Sequence, residues 1–168
     1  IGCEPAKNLI KSLKKNCKFV LDNFWSYKNL YKIIKNNNIQ KPKIITAIGM
    51  FYDLENPNKF IRDAALSLHD DGIFIAQLMT LKAMIDKNDI GNICHEHIEF
   101  YSLKSLKYLF ENNGLEIFKI EENEINGGSY RIYCRKFNKG SIKLKKENVE
   151  SMMKKFVKRV KENKKQMI

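Results

Sequence analysis

Apolar positions along the chain keep two rhythms in turn. Short β-branched runs alternate with stretches in which apolar residues return every three or four positions. Ile1 to Cys3 reads as the end of a strand, and the Glu4-Pro5 turn leads into a helix from about Ala6 to Lys15. Cys17 to Leu21 is a short strand. Tyr27 to Lys35 is helical, with Leu30, Ile33 and Ile34 on one face. "PKIITAIGM" (42–50) is almost continuously apolar, the pattern of a strand buried on both faces. In "ENPNKFIRDAALSLHDDG", Asn56 suits a helix cap and Pro57 the first helical position. Phe60, Ile61, Ala64, Ala65 and Leu68 make its apolar stripe, and Gly72 follows its end. "IFIAQL" (73–78) is the next buried strand.

The rhythm weakens from Met79 to Tyr101, so a long functional loop is expected there. It resumes in a helix over 102–113, with Leu103, Leu106, Leu109 and Phe110 inward. "LEIFKI" and "YRIYCRK" then read as strands linked through "NGGS" (126–129), residues that tolerate a tight backbone. The alternation predicts an α/β fold: a doubly wound, mostly parallel sheet with an antiparallel pair at one edge. From Lys139 to Lys165, Val149, Met152, Met153, Phe156 and Val160 recur at helical spacing, giving an amphipathic helix with a basic outer face. We therefore divide the chain into a core over 1–137 and a basic helical segment over 138–168.

Composition adjusts this picture only slightly. The chain has 168 residues, 43% hydrophobic and 30% charged, enough for one domain with a sizeable core. No apolar run approaches the ~18 residues of a membrane span, and no signal peptide is visible. Cys3, Cys17, Cys94 and Cys134 lack zinc-finger spacing, so free thiols in a reducing cytoplasm are expected. The net charge of +12 gathers largely in the tail, where lysine runs fit a solvated face better than a nucleic-acid stripe.

The unusual chemistry lies in "NICHEHIEFYS" (92–102), which sets His95, Glu96 and His97 side by side. This is not HExxH: the histidines are two apart, not four. In an extended segment they would share a face, but no third and fourth ligand is patterned nearby, so no metal is expected. A histidine beside a carboxylate is sufficient as a general base. A solvated polar loop would look the same. Glu4, at the carboxyl end of a strand in a doubly wound sheet, is placed to accept from both hydroxyls of a ribose, though by itself an ordinary turn glutamate is the plainer reading.

Taken in order, "IGCEP", "ITAIGMFYDLENPNKF", "DGIFIAQL", "NICHEHIEFYS" and "INGGSYRIYCRK" resemble the S-adenosylmethionine-dependent C-methyltransferases that act on nucleotide-linked keto-sugars. The resemblance covers residues 1 to 137 and is most specific in the HEH segment and the later GGS. "IGCEP" and the strand–helix order fit class I methyltransferases generally. It implies a base at His97, supported by Glu96, that removes a proton beside a ketone so that the enolate attacks the methyl group. It also implies Glu4 on the cofactor ribose, Asp22 and Asn23 at the adenine edge, and Gly49 where the sulfonium end approaches the backbone.

His95, Tyr101, Asn126 and Ser129 are the expected acceptor contacts. Cys94 stands where the sugar enzymes usually carry tyrosine. The resemblance further implies a longer protein. Its zinc-binding cysteine module, its first strand with the glycine loop, and its carboxyl-terminal domain all lie outside these 168 residues. An O- or N-methyltransferase of a small metabolite is the alternative within methyl transfer. Outside it stand a basic nucleic-acid-binding module and a nicotinamide-dependent oxidoreductase.

Overall fold

The computed structural model describes residues 1–166. β1 (Gly2–Cys3) and β2 (Val20–Leu21) form a short parallel pair joined by helix α1 (Lys7–Asn16). The strand expected from Cys17 begins later because the Cys17 N–H still closes α1, donating to Leu13 O. α2 (Tyr27–Asn36) starts at Ser26, whose hydroxyl accepts from the Asn29 N–H.

The second sheet has the order β3-β4-β6-β5. β3 (Ile44–Ile48) and β4 (Ile73–Met79) are parallel, linked through α3 (Pro57–Ser67), which Asn56 caps as expected. β6 (Ser129–Lys136) lies antiparallel to both β4 and β5 (Leu115–Asn123), giving the expected antiparallel edge. α5 (Leu103–Glu111) opens with a capping box between Ser102 and Ser105. The core lies on one face of this sheet. Phe51, Ile61, Leu68, Phe74, Leu106, Phe110 and Ile132 are fully buried there, with Phe51 stacked on Phe110.

Two expectations need correction. β3 is not buried on both faces: Ile45 and Ala47 are buried, but Ile44 and Ile48 are 61% and 52% exposed. It pairs only with β4 among the described residues, so it is the edge of its sheet. The segment from Met79 to Tyr101 is also not one loop, since it holds α4 (Leu81–Lys87) and a 3₁₀ turn over Ile90–Asn92. Thr80 caps α4, and Met84 and Ile85 bury against Phe156 of the tail helix α6 (Val149–Gln166). Arg159 of α6 donates to the carbonyls of Ile85 and Asp86, satisfying the carboxyl end of α4. Residues 167–168, with which the tail segment was expected to end, lie outside the described residues.

Candidate active site

Two groups of side chains gather at the carboxyl ends of the parallel strands. The first lies beyond β1 and β2. The Glu4 N–H donates to Leu21 O, which sets Glu4 beside Asp22 and Asn23. Glu4 Oε1 accepts from the Ala6 N–H at 2.8 Å, while Oε2 has no partner among the described residues. Asn23 is partly committed, since its Oδ1 accepts from Phe24 N–H and its carbonyl from the Cys3 thiol. Nearby in sequence, Trp25 Nε1 is a buried donor without a partner among the described residues.

The second group follows β3. Gly49 has φ +66°, and a side chain built there would meet nothing closer than Tyr52 Oη at 3.9 Å, so space lies open in front of this backbone. Tyr52 Oη donates to Gly49 O at 3.1 Å, and the Tyr52 carbonyl accepts from the N–H groups of Ile98 and Glu99. The loop after α4 is thereby pinned to the end of β3. It brings the His97 ring edge-on to Tyr52, with centroids 4.5 Å apart. A narrow cavity of about 10 Å³, room for a single water, is lined by both residues and by Met79, Thr80 and Met84.

His97 Nδ1 lies 2.8 Å from the Asn92 carbonyl oxygen. A carbonyl only accepts, so Nδ1 carries a proton, and in the neutral ring the lone pair falls on Nε2. Nε2 has no hydrogen bond among the described residues. Desolvation lifts the Asp53 carboxyl above its ordinary range, opposed by the nearby His97 and reinforced by Glu96. Burial likewise raises the Tyr52 phenol, with Asp53 and Cys94 adding to it.

The expected partner of His97 is corrected here. Glu96 does not orient it. Glu96 lies 3.2 Å from His95, and both side chains are largely exposed, so the support falls to a backbone carbonyl five residues upstream. Tyr101 is not an open acceptor contact either: it is 5% exposed and packs on Phe51 in the core. Ser129 is buried, and its hydroxyl donates to Ile125 O within the turn. Asn126 stays exposed in a left-handed conformation that the turn requires. Tyr52, Asp53 and Asn92 escaped the sequence reading. The signal for the first two was available in "FYD", directly after a strand whose carboxyl end was already suspected.

A family model for a methyltransferase domain matches residues 2–120. The chain belongs to that family. Among solved structures, this methyltransferase is similar to a S-adenosylmethionine-dependent methyltransferase of Thermotoga maritima, a possible histamine N-methyltransferase. Identity is 16%, the TM-score is 0.55, and the match covers 82% of this chain and 73% of that one. A putative S-adenosylmethionine-dependent methyltransferase of Listeria monocytogenes matches with 9% identity and TM-score 0.54, over 82% and 79% of the two chains. These likenesses support the class I fold.

C-methyltransferase NovU of Streptomyces niveus is 28% identical over 84 residues, which is 50% of this chain and 20% of NovU. The chain thus matches about a fifth of that relative's length. Both solved methyltransferases that share its fold are S-adenosylmethionine-dependent by description. Of the residues expected at that cofactor, Glu4 keeps a free carboxylate oxygen and Gly49 an open backbone face.

Proposed function

We propose that the protein methylates a carbon atom of a nucleotide-linked keto-sugar, with His97 as general base. The observation that carries this is the His97–Asn92 bond, which commits Nδ1 as the donor and leaves Nε2 free of protein partners among the described residues, on a loop pinned to the end of β3. The "NICHEHIEFYS" segment, its resemblance to sugar C-methyltransferases, and the likeness to a named C-methyltransferase support the same reading.

When bound, S-adenosylmethionine supplies an electrophilic methyl group on a sulfonium. Glu4 would hold its ribose, Asp22 and Asn23 its adenine edge, and Gly49 would let it approach the chain. His97 Nε2 takes the proton from the carbon beside the acceptor's ketone. The electron pair left behind would delocalise onto the ketone oxygen. The resulting enolate carbon would form the new C–CH₃ bond as the S–CH₃ bond breaks and its electron pair returns to sulfur, leaving a neutral thioether. The Asn92 carbonyl steadies the imidazolium through Nδ1–H. Asp53, close enough to His97 to feel its charge, gives that cation a neighbouring carboxylate. His95 and the exposed Asn126 remain the acceptor contacts in this scheme. It needs no metal. The reading also takes the chain as the central part of a longer cytoplasmic enzyme.

His97→Ala in the full chain should retain cofactor binding and lose about 10²–10⁴-fold in turnover. The assay is transfer from methyl-labelled cofactor to a panel of keto-sugar nucleotides, with the product mass and methyl position read out. Near-normal turnover of the variant would sink the enolate reading and favour O- or N-methylation, which needs no carbon acid.

A further inference from the structure

The base is held by a carbonyl, and a carbonyl in a loop is only as well placed as the turn that carries it. Asp89 organises that turn. Its Oδ1 accepts from the Gly91 N–H at 3.1 Å, and its Oδ2 accepts from Asn92 Nδ2 at 2.6 Å. The Asp89 N–H donates to Met84 O, tying the same residue to the end of α4 just past Asn88, which has φ 54°. Asn92 is therefore gripped at its side chain by Asp89 while its carbonyl grips His97 Nδ1.

The seat of this carboxylate comes from the "NGGS" turn, 35 or more residues further on. A side-chain carbon added to Gly127 would sit 3.2 Å from Asp89 Oδ2, and Gly127 also has φ +77°. One added to Gly128 would sit 2.6 Å from Ala83 of α4. The hairpin glycines thus let β5–β6 close directly on α4 and on Asp89. The Lys87–Glu124 ion pair joins the same two elements.

We propose that Asp89 is the positioning residue of the His97 base: through Asn92 it fixes the carbonyl that holds Nδ1–H, and so directs the lone pair to Nε2. This rests on the reading of His97 as the base. It gives the GGS signature a definite task, that of seating Asp89 rather than contacting the acceptor. Asp89→Asn is a stringent perturbation. Both of its partners are donors, so whichever way the new amide faces, one of them meets an NH₂ group.

The test uses the full chain with ¹⁵N-labelled histidine. In the wild type, the His97 nitrogen shifts should report the Nδ1–H tautomer. In Asp89→Asn they should report a mixture with Nε2–H, with kcat about a hundredfold lower and the KM of the cofactor unchanged within about twofold. Asn92→Ala keeps the carbonyl but deletes the amide that Asp89 holds, so it should give the same loss. The double variant should be no worse than either single one. An unaltered tautomer with near-normal kcat in Asp89→Asn overturns the proposal, as do losses that multiply in the double variant. If Asp89→Asn fails to fold, Asn92→Ala decides alone on both readouts. Should His97→Ala prove fully active, the base reading falls, while the tautomer measurement still decides whether Asp89 sets the imidazole.

Discussion

Replacing Glu116 by glutamine tests how the chain beyond β6 is held. The Glu116 side chain is fully buried. Its Oε1 accepts from Arg135 Nε at 2.7 Å, and its Oε2 from the N–H groups of Asn138, Lys139 and Gly140 at 2.8, 2.7 and 2.6 Å. Three successive backbone donors converging on one oxygen make an anion nest. Burial pushes the carboxyl up, but the Asn138 N–H, the Arg135 guanidinium and the next two N–H groups outweigh it and hold it at about 2.

The folded value lies below the unfolded one, so this stability is fully present above about pH 4.5 and is lost as pH falls toward 2. The shift is equivalent to about 3 kcal/mol at 1.36 kcal/mol per unit, and screening at the half-exposed Arg135 trims it to about 2. An amide in its place must turn an NH₂ toward donors on one side, which should cost about 2–3 kcal/mol at neutral pH. Urea unfolding of both proteins at several pH values is the assay. The gap should be widest near neutrality and fall by more than half by about pH 3. A gap that is the same at both ends, or absent at neutral pH, would refute the reasoning.

Glu4→Ala should weaken cofactor binding by roughly 1.5–3 kcal/mol with little effect on the acceptor, since it removes charge-assisted acceptor oxygens from the β1–β2 end. Unchanged affinity by calorimetry would take Glu4 out of the site. Gly128→Ala combines a φ of +122° with a 2.6 Å approach to Ala83, and should cost about 2–4 kcal/mol in thermal or urea unfolding. Ala83→Gly in the same background should recover part of that loss. A variant as stable as wild type would show that the hairpin is not seated on α4.

Local signals carried the helices and most of the sheet. Asn56-Pro57 and the stripe from Phe60 to Leu68 specify α3 within the span that defines it. The alternation in "YRIYCRK" sends Tyr130, Ile132 and Cys134 to the core. β3 misled because an apolar run states what could be buried, not what is there to cover it. α4 was hidden because its apolar face is little more than Met84 and Ile85, and their cover, Phe156, arrives some 70 residues later. The site was legible in the same uneven way. His97 stands out because imidazole chemistry is side-chain chemistry. The group that orients it is a peptide carbonyl, which every residue possesses, so adjacency suggested Glu96 instead.

The packing of α6 on α4 has a consequence for anyone choosing where to cut this chain. A boundary near residue 137 looks natural, since the last strand has just ended and a lysine-rich segment follows. Cutting there would strip Phe156 from Met84 and Ile85, and Arg159 from the last carbonyls of α4. α4 leads into Asp89, two hydrogen bonds away from the His97 ring through Asn92. A trimmed chain would therefore arrive with His97, the proposed base, unmoored, and its silence could be mistaken for the loss of substrate contacts. Expression designs that keep Val149 to Gln166 separate those two causes of inactivity at the outset.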